Sequence, residues 1–157
     1  MSKVLIVEDR EENIAAASTF FGDIGIELEI AMSIEEAIEK LEDDFLAVII
    51  DVELPRARGA SPEPIGMEVG EVAKNLYLPY VFLTGGTGGH TDSSYLAIDT
   101  TRTWENMFKN GLAKEYPQAW KGAWKFLTEV DLERNLESRL RYRQSVGKQF
   151  RKSEVFP

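Results

Sequence analysis

Three apolar runs in this chain each end in side chains that carry oxygen. The runs cover residues 4–7, 47–50 and 81–83, and they are followed by Glu8 and Asp9, by Asp51 and by Thr84. Such runs are typical of strands in a parallel sheet that is covered on both faces. Because ligands of open α/β sheets bind at the carboxyl ends of the strands, we expect these four side chains to gather at one such edge.

The residue types at this edge favour a metal site beside a phosphoryl acceptor. Three carboxylates within a few ångström of one another repel unless a cation lies between them. Oxygen ligands suit Mg²⁺, which binds them at roughly 2.0–2.1 Å and keeps several waters. A carboxylate can itself be the nucleophile and form an aspartyl-phosphate. Asp51 ends the central run and is the expected acceptor, and the Thr84 hydroxyl can donate to a phosphoryl oxygen.

Strand-like and helical patterns alternate along the chain and would position these side chains. They predict strands at residues 4–7, 26–30, 45–50, 80–83 and 123–128. They predict helices beginning near residues 11, 33, 66 and 131, and residues 102–114 also have helical composition. Ser33 and Glu36 form a capping box, and Asp131 is a helix cap. The alternation predicts a doubly wound α/β sheet with helices on both faces.

Composition restricts the class of protein. The 157 residues, 43% hydrophobic and 29% charged, fit one globular domain over residues 1–157. A net charge of -9 argues against nucleic acid as the main partner. The chain has no cysteine and no apolar run near the length of a membrane span, so we expect no thiolate metal site, no membrane partner and a cytoplasmic location. The only histidine, His90, lies in a glycine-rich loop and is interpreted as exposed.

The chain resembles a response-regulator receiver domain of two-component signalling over most of residues 1–145. Five stretches carry the resemblance, and they follow one another in the order of that family: residues 4–9, 48–55, 66–69, 79–85 and 122–133. Each stretch alone is a weak signal. Their order along the chain makes the resemblance specific.

The resemblance implies a flavodoxin-like fold with five parallel strands in the order 2-1-3-4-5. It implies that Asp51 accepts a phosphoryl group from a sensor histidine kinase or a phosphotransfer protein, and that Thr84 contacts that group. The implied Mg²⁺ ligands are Glu8, Asp9, Asp51 and the backbone carbonyl of Glu53. A protein of this kind is a phosphoacceptor in signalling and at most catalyses its own phosphotransfer.

The last of the five stretches departs from the family. Phe126 stands where receiver domains have a switch aromatic, but Glu129 stands where they have a lysine that pairs with the acceptor carboxylate. A glutamate there would add repulsion to an acidic pocket. Lys125 is four residues earlier, roughly 13 Å away along a strand, and is not expected to substitute. Three lysines of the preceding segment could reach the pocket, and no pattern selects among them: Lys109, Lys114 and Lys121.

Two further segments are unusual in length or charge. An insertion of about residues 86–122 separates the fourth and fifth predicted strands. The last predicted helix, about residues 131–150, is basic. Basic residues favour a helix C-terminus, so we interpret this helix as a solvated surface, with docking to an acidic partner surface or to nucleic acid as the alternative.

Three functions fit these patterns. The first is a stand-alone receiver that is phosphorylated on Asp51 and acts by protein contact. The second is a pseudo-receiver that keeps the fold, has lost phosphotransfer and binds a partner constitutively. The third, an Mg²⁺-dependent phosphohydrolase of the haloacid dehalogenase type, is disfavoured because such sites have an aspartate two residues after the nucleophile, where this chain has Glu53.

Overall fold

The computed structural model describes residues 2–85, 93–98, 108–110 and 112–146. Its strands are β1 (Lys3–Val7), β2 (Glu27–Ala31), β3 (Ala47–Ile50), β4 (Leu54–Pro55), β5 (Pro62–Glu63), β6 (Tyr80–Thr84), β7 (Tyr95–Ala97) and β8 (Phe108–Lys109). Its helices are α1 (Glu11–Asp23), α2 (Ile34–Lys40), α3 (Met67–Asn75), α4 (Pro117–Leu127) and α5 (Leu132–Ser145).

The main sheet has the order β2-β1-β3-β6-β7-β8. The first four of these strands are parallel, with Val7 of β1 beside Ile50 of β3 and Ile50 beside Phe82 of β6. Helices cover both faces, so the predicted flavodoxin-like, doubly wound fold is confirmed. Strands β4 and β5 pair separately as a small antiparallel ribbon in the loop after β3.

The fifth position of the sheet differs from the prediction. It is taken by β7, which pairs antiparallel with β6, and β8 then pairs antiparallel with β7. Both strands come from the predicted insertion, so its residues 108–109 are extended rather than helical. The remainder of the insertion between residues 86 and 92 and between 99 and 107, with His90, lies outside the described residues.

The predicted strand at residues 123–128 is wrong, because this segment belongs to helix α4. The buried residues of α4 recur at helical spacing over its whole length: Ala119, Trp120, Ala123 and Leu127. Pro117 is the first residue of the helix, a position where the missing amide hydrogen of proline costs nothing. Without the first turn of α4, residues 123–128 form a short, largely apolar run. Such a run does not distinguish a strand from a buried helix.

Two apolar layers enclose the sheet. Val4 and Ile6 point to the face covered by α1, α4 and the start of α5, and Leu5 and Val7 point to the face covered by α2 and α3. This alternation follows from the two-residue period of a strand. Phe21 of α1 meets Trp124 of α4 edge to face, with ring centroids 5.4 Å apart.

The predicted helix caps are present. The Ser33 hydroxyl accepts a hydrogen bond from the Glu36 amide at 3.2 Å, and the Asp131 carboxylate accepts one from the Arg134 amide at 3.1 Å. The Glu36 carboxylate accepts from the amide of Met32, one residue before the cap. Helix α5 confirms the last predicted helix as far as Ser145, and residues from 147 onwards lie outside the described part of the chain.

Candidate acidic and metal-binding site

Three of the predicted site residues meet at the carboxyl edge of the sheet. Carboxylate oxygens of Glu8, Asp9 and Asp51 lie within 4.8 Å of one another. Parallel pairing of β1 and β3 brings them together, because it places Val7 beside Ile50 and so the next residues side by side. The backbone continues this pairing, since the Asp51 amide donates to the Val7 carbonyl at 2.9 Å.

The cluster is withdrawn from solvent. Glu8 is 0% exposed and Asp51 is 6% exposed, whereas Asp9 is half-buried. Burial of several carboxylates is unfavourable unless cations or hydrogen-bond donors compensate for the lost water. The oxygen donors fit a hard divalent cation such as Mg²⁺, and bound to them such an ion would supply a positive charge for phosphoryl oxygens. We therefore identify the cluster as a candidate metal site.

A lysine from the insertion lies in the cluster. The Lys114 ammonium is 2.6 Å from Glu8 Oε2 and 3.1 Å from Asp51 Oδ1. It also donates to the Leu83 carbonyl at 3.3 Å. Lys114 is 7% exposed. The pocket therefore contains a basic group, although Glu129 stands at the position where the sequence pattern predicts the family's lysine.

Glu129 does not occupy the place of the family's lysine. It lies in the exposed turn after α4. The prediction that Glu129 adds repulsion to the acidic pocket is therefore wrong. The error follows from the incorrect fifth strand, which placed the end of residues 123–128 at the acidic edge. Of the lysines that the sequence left open, Lys109 and Lys121 are exposed, as is Lys125, and Lys114 enters the pocket.

Opposing effects set the protonation of these groups. Burial raises the pKa of Asp51 to about 7, against the attraction of Lys114 and with added repulsion from Glu8. Burial and the neighbouring Glu8 also raise the pKa of Asp9. Burial by itself disfavours the charged form of Lys114, but attraction by Glu8 and Asp51 outweighs it and raises the pKa of Lys114. The lysine is therefore an ammonium at neutral pH.

Glu8 has a second fixed partner. The Asn13 side chain on α1 donates to Glu8 Oε1 at 3.0 Å and is itself buried. Glu8 thus accepts from Asn13 through one oxygen and from Lys114 through the other. Sequence reasoning missed Asn13. Its signal was an amide side chain on the inward face of an otherwise apolar helix, where a buried polar group requires a partner.

The backbone that carries Lys114 is held by α4 and by the β7–β8 pair. The indole of Trp120 donates to the Lys114 carbonyl at 2.8 Å. The Asn110 side chain donates to the Ala119 carbonyl at 2.6 Å and to the Ser94 hydroxyl at 3.0 Å. Trp120 and Asn110 therefore link the lysine to elements on two sides. Neither was identified from the sequence as part of the site.

The remaining predicted residues have different placements. Thr84 ends β6 and is buried, two residues beyond Phe82, which pairs with Ile50. Glu53 lies in the exposed bend after β3, and coordination by its carbonyl stays a prediction. Phe126 is on α4 and packs partly against the core on the α1 side. Its predicted position on a strand is wrong, and its role as a switch aromatic stays a prediction.

Comparisons with known proteins give few matches. No family model matches the chain. No curated protein matches it either. A search of solved structures gives a bacteriophytochrome response regulator, AtBRR, with 22% identity and a TM-score of 0.47, covering 55% of this chain and 69% of the other. A fusion of the yeast Spc42 trimeric coiled coil to another structure has 28% identity and a TM-score of 0.46, covering 56% of this chain and 57% of the other.

Both structural matches are too distant to support a functional argument. The fold assignment consequently rests on the strand order and on the helical layers of the chain itself. Within the described ranges, none of the helices has the length and apolar character needed to span a bilayer. The geometry establishes a flavodoxin-like α/β fold that has a buried acidic cluster, neutralised in part by a lysine, at the carboxyl edge of its sheet.

Proposed function

We propose that this protein is a response-regulator receiver that accepts a phosphoryl group on Asp51 and signals by contact with another protein. Its proposed phosphodonor is a sensor histidine kinase or a phosphotransfer protein. The observation that carries the proposal is the position of the Lys114 ammonium, 3.1 Å from Asp51 and 2.6 Å from Glu8. A nucleophilic carboxylate, a metal-binding carboxylate and a cation are thereby combined in one buried pocket.

Each residue has a defined task in this proposal. An Asp51 oxygen attacks phosphorus while the bond from phosphorus to the donor's imidazole nitrogen breaks, and the nitrogen keeps the electron pair. Mg²⁺ held by Glu8, Asp9 and Asp51 would supply charge that stabilises the transferring group. Lys114 exchanges part of its contact with Asp51 for a phosphoryl oxygen, and Thr84 donates its hydroxyl to another.

The proposal is tested by intact-mass measurement after incubation with Mg²⁺ and acetyl phosphate. We expect one phosphoryl adduct on the protein and none on Asp51→Asn. Asp23→Asn, which alters an exposed carboxylate at the end of α1, is the matched control and should label like the unaltered protein. Lys114→Gln should label more slowly than the unaltered protein, because the transferring group loses a neighbouring cation.

Absence of an adduct with acetyl phosphate and with phosphoramidate, together with no heat of Mg²⁺ binding by calorimetry, would overturn the proposal. An adduct that persists in Asp51→Asn would show that another residue is the phosphoryl acceptor. The result with Asp51→Asn can be interpreted directly, because asparagine is almost isosteric with aspartate.

One observation favours the pseudo-receiver as a second candidate. The Lys114 ammonium already contacts both Glu8 and Asp51 in the buried pocket, so one positive charge offsets part of the negative charge that a metal ion would otherwise offset. In that case the fold would act as a phosphorylation-independent interaction module. This candidate predicts no adduct and no Mg²⁺ binding, and it predicts that Lys114→Gln restores Mg²⁺ binding by releasing the carboxylates.

A further inference from the structure

A cleft of about 550 Å³ opens at the amino-terminal edge of the sheet, away from the acidic cluster. It lies between α5, from Asn135 to Arg143, and the segments that precede β3 and β6. Its volume is within the range of small-molecule sites, roughly 300–1,000 Å³. The proposed phosphoacceptor chemistry makes no use of it.

The groups that accept hydrogen bonds from Arg139 in this cleft are neutral. Its Nε donates to Asn135 Oδ1 and its Nη2 to the Phe45 carbonyl, both at 2.7 Å. Nη1 has no acceptor among the residues that the structure describes. The side chain is half-buried, and burial lowers the pKa of Arg139 to about 10, although Asp44 opposes this shift. A desolvated guanidinium with a remaining donor is suited to bind an anion.

The acidic residues of the cleft are already paired with other cations. Asp44 forms an ion pair with Arg143, and Asp43 lies 3.7 Å from Lys3. The cleft therefore has two guanidinium groups, and the nearest carboxylate is bound to one of them. An entering anion would therefore meet Arg139 as the guanidinium of the cleft that forms no ion pair among the described residues.

An aromatic side chain stands at the mouth of the cleft in a strained backbone conformation. Tyr77 has φ +58° and is 74% exposed. This left-handed conformation is common for glycine and asparagine but costs other residues roughly 1–2 kcal/mol. Burial does not explain a large ring at this position, because most of Tyr77 is in solvent. Tyr142 of α5 also lines the cleft and is 52% exposed.

We propose that this cleft binds a small organic anion that carries a planar aromatic ring. The anionic group contacts Arg139, and the ring lies against Tyr77 and Tyr142. Two chemical sources share these features, a nucleoside monophosphate and an aromatic carboxylate. Tyr77 is the left-handed residue that ends α3, where the Leu78 amide donates to the Ala73 carbonyl at 2.9 Å and where glycine is usual. A tyrosine at this position keeps backbone strain that glycine would avoid, and such strain is often found at ligand sites.

The test uses the full chain labelled with ¹⁵N and two-dimensional NMR titrations. The probes are adenosine 5′-monophosphate and 4-hydroxybenzoate, and each half of the first probe is titrated separately as adenosine and as inorganic phosphate. We expect saturable shifts at Asn135, Arg139 and Tyr77 with one of the two complete probes at millimolar concentration or below. Weaker shifts are expected with phosphate, which has no ring.

Three variants locate the binding. Arg139→Gln should weaken it about tenfold or more, since it removes a charged hydrogen bond. Tyr77→Gly should also weaken it while leaving the fold as stable or more stable, because glycine adopts the observed backbone angle without strain. Arg141→Gln, an exposed arginine of the same helix that does not line the cleft, is the matched control and should bind normally.

The outcomes are decisive in either direction. Binding that Arg139→Gln and Tyr77→Gly both weaken, but Arg141→Gln does not, supports the site and identifies which of the two sources it accepts. No shift with either complete probe overturns the proposal, as does binding that survives Tyr77→Gly. Equal binding of inorganic phosphate overturns the aromatic part. If Arg139→Gln fails to fold, Tyr77→Gly still decides the question.

Discussion

The two edges of the sheet differ in the partners that they provide for a buried or half-buried cation. At the carboxyl edge, Lys114 is bound by two carboxylates, Glu8 and Asp51, and all three are nearly inaccessible to solvent. At the amino edge, Arg139 is half-buried and donates to a side-chain amide and a backbone carbonyl. The cation of the first edge is paired with carboxylates, and the cation of the second edge forms no ion pair among the described residues.

The difference shows how one fold can separate two kinds of site. The carboxyl edge collects acids because parallel strands end there, and a cation beside them reduces their mutual repulsion. Helix α5 lies at the amino edge, where its Arg139 and Arg143 line a cleft formed with the segments that precede β3 and β6. Changes at the first edge should therefore alter stability and metal binding together, whereas changes at the second should alter stability only slightly.

Replacing Lys114 by methionine should have the largest effect. Two carboxylates would remain buried without their cation, and removal of one partner from a buried ion pair costs about 3–5 kcal/mol. Urea unfolding in a chelating buffer measures this loss, and added Mg²⁺ should recover part of it by acting on the same carboxylates. Lys125→Met, on the exposed side of α4, is the control. A loss no larger than that of the control would contradict the ion-pair geometry.

Asp51→Asn should show the next largest effect, and it should depend on pH. The folded protein holds the Asp51 proton up to about pH 7, whereas the unfolded chain releases it near 3.8. The unfolded state is therefore favoured as pH rises through this window, and the unaltered protein loses stability from this group. The variant lacks that loss, so its stability relative to the unaltered protein should rise between about pH 4 and pH 7. The rise should be on the order of 4 kcal/mol, because each pKa unit between 3.8 and about 7 corresponds to about 1.4 kcal/mol.

The measurement for Asp51→Asn is chemical denaturation at several pH values without divalent ions. A stability difference that stays constant between about pH 4 and pH 7 would show that burial does not raise the pKa of the Asp51 carboxyl. Asp23→Asn again serves as the control, because its carboxylate is exposed.

Trp120→Phe should weaken the support of Lys114. The change leaves the Lys114 carbonyl without its indole donor in a buried environment, at a cost of about 1–3 kcal/mol. Because Lys114 loses its fixed position, the labelling rate of Asp51 by acetyl phosphate should fall as well. Trp124→Phe, in the same helix but packed on Phe21, should reduce stability without changing the labelling rate per folded molecule.

Tyr77→Gly should have the smallest effect and the opposite sign. Relief of the left-handed conformation favours the folded state, and the greater freedom of glycine in the unfolded chain offsets part of it, so we expect a gain of about 0.5–1 kcal/mol. Thermal unfolding gives the value. A loss of stability would mean that the Tyr77 ring contributes packing at the amino edge and would weaken the contrast between the two edges.

Much of the fold followed from local patterns. Three of the four parallel strands, β1, β3 and β6, are apolar runs that lead to Glu8, Asp51 and Thr84, and β2 has an alternating pattern. Helices α1 to α3 have helical periods and recognisable ends. The acidic cluster could be predicted for the same reason, since parallel strands with carboxylates at their ends bring them together. The α4 segment could not be assigned correctly, because the apolar run at 123–128 is compatible with either a strand or a buried helix.

The sequence by itself determined that carboxylates meet at one edge of a doubly wound sheet, because strand period, strand order and residue type are local or nearly local properties. The tertiary structure alone decided which cation joins them. Lys114 is 106 residues from Glu8 along the chain, and it reaches the pocket only because β7 and β8 pair antiparallel and Trp120 holds its backbone. The choice among Lys109, Lys114 and Lys121 depended on that path, and no local pattern contains it.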